Sequence, residues 1–207
     1  MTVPAANGIA YRAARPSDAA EIARLLCIAG GGLYEFLFDD LVPFMTAREF
    51  LAVGVAREDV PISYRHCRVA TAEGGAVVGL ANVFPANLLK EDTRRLSLTE
   101  RHAHVRAMAE LQDWGSMFLN SLAVDEAWRG RGIGEQLLDW AKAYAQEQGF
   151  DRLSLHVWAD NVRAVQFYRA RGFIEIGIAA VAPHPRLNHV GGSILMRWTA
   201  PRPMNAA

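Results

Sequence analysis

Three glycines at alternate positions form the segment of this sequence best suited to chemistry. Gly130, Gly132 and Gly134 follow a strand-like apolar run and open a segment with helical periodicity. Glycine allows open backbone angles and leaves no side chain between the main chain and a ligand. The first turn of a helix presents unpaired N–H groups at the positive end of the helix dipole, so a phosphate can bind there. Arg129 and Arg131 add positive charge, and pyrophosphate is the ligand that this turn predicts.

The spacing of these glycines separates several kinds of phosphate site. A Walker loop needs glycine, four further residues and then Gly-Lys-Ser/Thr, and that pattern is absent. The dinucleotide pattern G-x-G-x-x-G fails because Glu135 stands where the third glycine should be. Taken alone, the turn therefore stays open between a pyrophosphate site and an ordinary glycine-rich turn with two solvated arginines.

The elements around the turn predict one mixed sheet. About seven strands are expected from alternating or continuous apolar runs, at 9–13, 64–71, 76–84, 117–124, 153–157, 173–181 and 193–198. Helices are expected between them from apolar residues at three- and four-residue spacing, above all at 133–149 and 161–171. This order indicates an α/β (α+β) fold with a mixed, mostly antiparallel sheet and helices on both faces.

Composition and charge exclude several classes of function. The 207 residues suggest a single domain over 1–207, and 22 Lys and Arg balance 22 Asp and Glu, so we expect no nucleic-acid partner. No apolar stretch reaches the roughly 18 residues of a membrane span, and no secretory leader is evident, so we expect no membrane partner and a cytoplasmic location. Two cysteines and six scattered histidines predict neither a disulfide framework nor a metal site.

Two motifs carry a resemblance to a known family. Residues 129–134 read R-G-R-G-I-G after a strand, which resembles the acyl-CoA loop of the GNAT superfamily of N-acetyltransferases. Residues 161–173 read N-x-x-A-x-x-F-Y-x-x-x-G-F, which is similar to the second motif of that family. Residues 119–128 also look like its central strand and connector. The resemblance covers 117–173 well and implies a GNAT-like sheet with splayed central strands.

The resemblance implies acetyl-CoA, or another acyl-CoA, as the co-substrate and no metal. In this family the pantetheine arm lies between the splayed strands and pairs with backbone groups in a strand-like way. The pyrophosphate lies on the glycine turn. The cofactor-binding residues implied for this chain are Leu122, Ala123, Val124, Arg129, Gly130, Arg131, Gly132, Ile133, Gly134, Asn161, Ala164 and Phe167.

The resemblance also implies direct transfer of the acetyl group to a primary amine. Such a reaction gains from a base for the amine, a donor for the oxyanion and an acid for the sulfur. The acid of the family falls on Tyr168, whose phenol is protonated at neutral pH, although spacing alone also suits a packed aromatic side chain. A backbone N–H near Leu122 is the expected oxyanion donor. Asn161 suits both a helix cap and a cofactor contact.

No base follows from the sequence. Some family members carry a glutamate on the central strand, whereas the polar residues of 117–124 are Asn120 and Ser121. Four carboxylates in neighbouring segments are candidates, and each also suits surface charge: Glu35, Asp39, Glu110 and Asp113. A chain of water molecules is a further route for the proton.

A link of about thirty residues, 85–115, is predicted to be a partly helical insertion near the acceptor side of the cleft or at a subunit contact, which leaves a homodimer open. Its apolar residues, Leu98, Met108, Leu111 and Trp114, either pack on the sheet or form a lid over the acceptor. In the loop 182–192, His184 and His189 are weaker candidates for acceptor contacts.

Two other functions stay open. A non-catalytic acyl-CoA sensor or interaction module on the same fold is favoured by the missing strand carboxylate, whereas Tyr168 favours the enzyme. A dinucleotide oxidoreductase is disfavoured by the glycine spacing. The acceptor is a small amine, an antibiotic, a polyamine or a peptide amine. Glu35, Asp39 and Asp40 would suit a cationic acceptor.

Overall fold

The computed structural model of the protein describes residues 3–4, 8–90 and 99–201 of the 207-residue chain. Its strands are β1 Val3–Pro4, β2 Ala10–Ala13, β3 Cys67–Thr71, β4 Val77–Pro85, β5 Met117–Val124, β6 Arg152–Trp158, β7 Ile174–Ala179 and β8 Ser193–Thr199. Its α-helices are α1 Ala19–Gly30, α2 Leu33–Phe38, α3 Ala47–Ala56, α4 Glu100–His104, α5 Arg106–Glu110, α6 Ile133–Glu147 and α7 Val162–Arg169. Leu98, which was predicted to pack on the sheet, lies outside the described residues.

The strands of the described residues form one mixed sheet in the order β1-β2-β3-β4-β5-β6-β8-β7. Every neighbouring pair is antiparallel except β5 and β6. Because β1 is a two-residue strand at the edge, the other seven account for the expected number. The predicted mixed, mostly antiparallel sheet with helices is therefore confirmed. The last strand, β8, lies between β6 and β7, an order that local patterns left open.

One predicted strand boundary was wrong. The strand expected at 64–71 begins at Cys67, because Tyr64–His66 forms a 3-10 turn. Ser63 caps this turn, and its hydroxyl accepts a hydrogen bond from the backbone N–H of Arg65 at 3.2 Å. This local hydrogen bond stabilises the turn in place of the strand that the sequence pattern predicted.

The helix α6 covers one face of the sheet through its apolar side. Ile133, Leu137, Leu138 and Ala141 are all buried at three- and four-residue spacing. A Cβ atom built on Gly79 of β4 would lie 3.0 Å from Cγ2 of Ile133, so the missing side chain at that position allows the close approach of the helix. This contact places the first turn of α6 directly beside the end of β5.

The helices α1 and α3 cover the opposite face. Ile22, Leu25 and Leu26 of α1 are fully buried together with Val69 of β3 and Leu80 of β4. Burial of such side chains contributes about 1.5–3 kcal/mol each. With α6 on the first face, α1 is fixed on the far side of the same strands.

An ion pair holds the connector between β5 and α6. Arg24 of α1 donates from Nη1 to Oδ2 of Asp125 at 2.8 Å. Oδ1 of Asp125 accepts a hydrogen bond from the N–H of Ala127 at 3.2 Å and caps the 3-10 turn Glu126–Trp128. The segment that leads into the glycine turn is therefore anchored to α1.

The strands β5 and β6 part after two residue pairs. Met117 pairs with Leu153 and Phe118 with Ser154, whereas β5 pairs with β4 from end to end. At the junction, Oγ of Ser116 and Oγ of Ser154 are 2.7 Å apart and form a buried hydrogen bond. Beyond this point the strands diverge, which confirms the predicted splay.

The link between β4 and β5 packs at two places in its described part. Val105 and Met108 join a cluster with Phe36 of α2 and Trp158 of β6. Trp114 packs with Phe84 and Phe118 at the end of the sheet. The link therefore covers the open side of β6 and the end of β4. Among all described residues, no helix has both the length and the apolar character needed to cross a bilayer.

Candidate active site

A cleft of about 540 Å³ opens where β5 and β6 part. One side is formed by β5 from Phe118 to Val124, and the other by the end of β6 and the start of α7. Residues of α1, α2 and α5 close it on the face opposite α6. A deep cleft at a break in the sheet, with apolar walls and a few polar groups, is typical of a small-molecule site.

The strand β5 directs backbone groups into this cleft. The N–H of Asp125 donates to the carbonyl of Val78 at 2.9 Å, which makes Val124 a member of a non-hydrogen-bonded pair in the antiparallel ladder. Because the ladder alternates, Leu122 and Val124 turn their N–H and C=O groups away from β4 and into the gap. On that side, the carbonyl of Val124 accepts a hydrogen bond from Nε of Arg129 at 3.2 Å.

A β-bulge places Asn120 in the cleft. The register of β4 against β5 shifts between Asn82 and Val83, and Asn120 is left without a partner residue. Nδ2 of Asn120 donates to Oδ1 of Asn82 at 2.9 Å and to the hydroxyl of Tyr34 at 3.1 Å. Asn120 therefore faces α2 rather than α6. The family resemblance implies a bulge in this central strand, but no pattern in the sequence predicted its position at Asn120.

The glycine turn has the backbone shape that glycine permits. Gly130 and Gly132 both have φ of +77°, and no atom lies within 4 Å of where their Cβ atoms would be. Gly132 is the N-cap of α6, and its carbonyl accepts the bond from the N–H of Gln136 at 3.1 Å. The N–H groups of residues 133–135 thus have no partner within the helix.

The cleft brings together nine of the thirteen predicted site residues: Leu122, Ala123, Val124, Arg129, Gly134, Asn161, Ala164, Phe167 and Tyr168. The other four lie beside its entrance in the glycine turn. The guanidinium of Arg131 lies 4.6 Å from the ring centroid of Trp128. The side chain of Ile133 is buried in the core, so its contribution to a ligand would come from the backbone.

The helix α7 is capped at its start and tied at its end to the first turn of α6. Oδ1 of Asn161 accepts a hydrogen bond from the N–H of Ala164 at 3.1 Å, which is the capping role that was predicted. Asn161 also lines the cleft. The guanidinium of Arg171 stacks on Phe167, 3.8 Å from the ring centroid, and pairs with Glu135 of α6 at 3.2 Å.

Tyr168 lines the cleft with a free hydroxyl. Its ring meets Phe167 and Phe173 edge-on, with centroids 5.3 and 5.5 Å apart. Among the described residues its hydroxyl has no hydrogen-bond partner. Burial raises the pKa of Tyr168, so the phenol stays protonated throughout the physiological range. The side chain is thus both a packed aromatic and an available proton donor.

None of the four carboxylates considered as a base lines the cleft. Asp113 is buried in ion pairs with Arg152 and Arg197. Oδ1 of Asp39 accepts a hydrogen bond from the N–H of Ala47 at 2.8 Å, at the start of α3. Glu35 and Glu110 lie outside the lining as well. Asp39 and Asp113 stabilise neighbouring elements and Glu110 is exposed, whereas Glu35 is half-buried with one oxygen, Oε2, that has no hydrogen-bond partner among the described residues.

His156 is a titratable residue of the cleft that sequence reasoning missed. Its Nε2 lies 2.8 Å from the carbonyl of Leu111, and its Nδ1 lies 3.0 Å from Oγ of Ser193. Since a carbonyl only accepts, Nε2 carries the proton and Nδ1 accepts from the serine. Burial lowers the pKa of His156 and favours this neutral form. Alternation along β6 would have revealed it, because Leu155 and Val157 flank it on the opposite face.

The two histidines of the loop 182–192 do not line the cleft. Nδ1 of His189 is 2.9 Å from Oδ1 of Asp160, and its Nε2 is 2.8 Å from the carbonyl of Gly31. Its ring also stacks on Trp158, with centroids 4.3 Å apart. His184 packs edge-on against Phe36. His189 therefore fastens the loop to the end of β6 and to the turn before α2, whereas His184 packs it on α2. Within the described parts of the chain, no three His, Cys, Asp or Glu side chains are grouped to hold a metal ion.

Comparison with known proteins gives a family match and a fold match. The sequence matches the model of the Acetyltransferase (GNAT) family over residues 34–173. It is 40% identical over 76 residues to a mycothiol acetyltransferase of Jonesia denitrificans, which covers 36% of this chain and 24% of that protein. It is 32% identical over 103 residues to an uncharacterized N-acetyltransferase of Methanocaldococcus jannaschii, 50% of this chain and 40% of that protein. The matched segments thus span less than half of either relative.

The fold match extends over nearly the whole chain. The crystal structure of an N-acetyltransferase from Staphylococcus aureus Mu50 superimposes with a TM-score of 0.68 at 21% identity. The match covers 90% of this chain and 98% of that one. Such a similarity shows a shared fold.

His156 predicts a loss of stability in mild acid. Its pKa in the folded protein lies below the value of about 6.5 that an unfolded chain has, so the unfolded state binds the proton more readily. Stability that is present above the unfolded pKa is therefore lost as the pH falls below it. The unfolding temperature of the wild type should decrease between pH 7 and 5, and that of His156→Gln should decrease less, as measured by circular dichroism.

The comparison between the two proteins isolates His156. Burial also lowers the pKa of His66 and His102, and these residues contribute to the acid slope of both proteins. The difference in slope is thus the quantity of interest. Equal slopes for wild type and variant would contradict a neutral, buried His156.

Proposed function

Because the chain belongs to the Acetyltransferase (GNAT) family, we propose that it transfers the acetyl group of acetyl-CoA to a primary amine. The observation that carries this proposal is the cleft where β5 and β6 part. A strand edge, a glycine turn and a protonated phenol meet there.

The strand edge suits the pantetheine arm. Leu122 and Val124 present N–H and C=O groups to the gap at alternate positions, as in a strand that lacks its neighbour. The two amides of a pantetheine arm can pair with such an edge by strand addition. Ala164 and Phe167 of α7 form the other side of the same passage.

The glycine turn suits the pyrophosphate. The free N–H groups at the start of α6 point out of the helix, and the space around Gly130 and Gly132 is empty of side chains. The helix dipole favours an anion at this end. Arg129, which is held against the carbonyl of Val124, places its guanidinium at the mouth of the cleft.

The remaining residues supply two of the three groups that acyl transfer needs, an oxyanion donor and an acid for the sulfur, and the attacking amine releases its proton to water in the cleft. Bound acetyl-CoA brings a thioester carbonyl and a thiolate leaving group. The N–H of Leu122 points into the gap and can donate to the oxyanion that forms when the amine attacks. Removing one such donor typically costs a factor of about 10²–10³ in rate. Tyr168 donates its phenolic proton to the departing sulfur.

The direct test is acetyl-CoA turnover with a library of amines, followed through the release of free thiol. The proposal expects at least one primary amine to raise thiol release well above the rate of hydrolysis. Tight binding of acetyl-CoA without thiol release for any amine would instead support a non-catalytic acyl-CoA sensor on the same fold.

Tyr168→Phe should slow turnover without weakening the binding of the co-substrate. The variant keeps the packed ring and removes the proton donor, so we expect kcat to fall on the order of a hundredfold while the Kd for CoA stays within about twofold. Tyr144→Phe is the matched control, because Tyr144 stacks on Trp140 of α6 and does not line the cleft. An equal loss of turnover and of CoA affinity would make Tyr168 a structural residue.

Gly132→Ala should weaken CoA binding, whereas Gly149→Ala should not. A side chain at a φ of +77° is strained by about 1–2 kcal/mol, and release of that strain displaces the N–H groups, so the Kd should rise about five- to thirtyfold. Gly149 has a φ of +81° and equally open space around its Cβ position, but it follows the far end of α6 and does not line the cleft, so its substitution carries the same strain without disturbing the glycine turn. Isothermal titration with CoA distinguishes the two, and similar affinities for both variants would contradict the proposed phosphate cradle.

A further inference from the structure

The cleft continues beyond β5 to a wall of apolar side chains on the face opposite α6. This acceptor wall consists of Leu33 and Leu37 of α2, Val105 and Met108 of the link, and Trp158 of β6. All five belong to one cluster, which is backed by the buried side chain of Phe36. The wall is therefore packed from behind and has a fixed shape.

The polar group of Trp158 is already satisfied. Its indole N–H donates to the carbonyl of Gly30 at 3.1 Å, and one face of its ring stacks on His189. What Trp158 contributes to the cleft is thus apolar ring surface. Such a surface favours an apolar or aromatic part of a ligand.

One polar end of this region is fixed by a chain of amides. Nδ2 of Asn82 donates to the carbonyls of Pro61 and His66, both at 3.3 Å, so its Oδ1 must accept. Nδ2 of Asn120 donates to this oxygen and also to the hydroxyl of Tyr34. The amide orientation of Asn120 follows, and its Oδ1 is the acceptor that remains. Among the described residues nothing donates to it, and an amine N–H is a suitable donor.

Of the three acidic residues that suggested a cationic acceptor, two are engaged elsewhere and Glu35 is half-buried outside the cleft lining. Asp39 caps the start of α3. Asp40 pairs with Arg186 at 3.1 Å and with Arg101 at 3.7 Å. Neither these two nor Glu35 lines the cleft. The acceptor wall itself presents carbon atoms to its ligand.

We infer that the acceptor is a primary amine carried on an uncharged apolar body, which lies against the acceptor wall while the amine faces Asn120. This inference rests on the proposed acetyl transfer and names its substrate class. A second cation on the body would have to lose its water against apolar carbon without a partner, which is costly. Each further methylene of the body should gain about 0.8 kcal/mol, or about fourfold in kcat/KM, until the wall is covered.

The sharpest experiment compares hexylamine with 1,6-diaminohexane, which have the same chain length and differ in one terminal charge. With acetyl-CoA and the wild-type protein, kcat/KM for hexylamine should exceed that for diaminohexane about tenfold or more. Binding of both amines to the CoA-bound protein is measured in parallel by isothermal titration, so that the pocket is tested even without turnover.

A charge placed on the wall should remove the preference. Leu33→Asp puts a carboxylate there, and an acidic residue suits the first turn of α2, where Leu33 begins the helix. In this variant the ratio of kcat/KM for diaminohexane to kcat/KM for hexylamine should be about tenfold higher than in the wild type. Ile178→Asp is the control, because Ile178 lies 61% exposed on β7, away from the cleft, and should leave the ratio unchanged.

The outcomes separate this inference from the proposed function. If diaminohexane were turned over and bound as well as hexylamine, or better, the inference of an apolar acceptor would be wrong. The proposed acetyl transfer would be unaffected. An unchanged ratio in Leu33→Asp would show that the amine body lies elsewhere, and would overturn the inference too. Tighter binding of hexylamine without any thiol release would support the pocket and overturn the enzyme.

Discussion

The parting of β5 from β6 is the constraint on which the rest of the structure depends. A central strand must satisfy backbone groups on both edges, because buried unpaired N–H and C=O groups are costly. β5 does so on one side through β4, and on the other it pairs for two residues and then borders a cleft. The glycine turn, α7 and the link are placed around that free edge. A ligand with amides of its own could complete the sheet at this opening, as the proposed function requires.

The elements that sequence predicts well are those with local causes. β5 is predictable to the residue, because an apolar run is bounded by Gly115 and Asp125. α6 follows from the spacing of its buried side chains. The position of β8 between β6 and β7 depends on pairing between distant segments, and no local pattern encodes it. The start of β3 was predicted less accurately, because a serine cap holds the first three residues of the expected strand in a turn.

The site shows the same division. The glycine turn and Tyr168 each belong to a contiguous motif, so the family resemblance implies both from the sequence. The bulge at Asn120 arises from the register of β5 against β4, and neither strand shows it alone. The carboxylates were ambiguous for a similar reason: what Asp113 does is decided by Arg152 and Arg197, both distant in sequence. The two-residue alternation along β6 predicts which face His156 lies on. It does not predict the residues that surround His156, so a single histidine on a strand does not by itself indicate a site.

Asp125 joins the two sides of the sheet through one carboxylate. One oxygen holds Arg24 of α1, and the other caps the turn that leads to the glycines. The same helix α1 contributes Ile28 and Gly30 to the cleft. If the proposed acceptor displaced α1, it would strain or relieve this pair, and with it the segment that leads to the glycine turn. By thermodynamic linkage the effect is reciprocal, so that each ligand would alter the affinity of the other by the same factor. In the proposed reaction, a single ion pair would thus give the fold a physical route to cooperative binding of the two substrates.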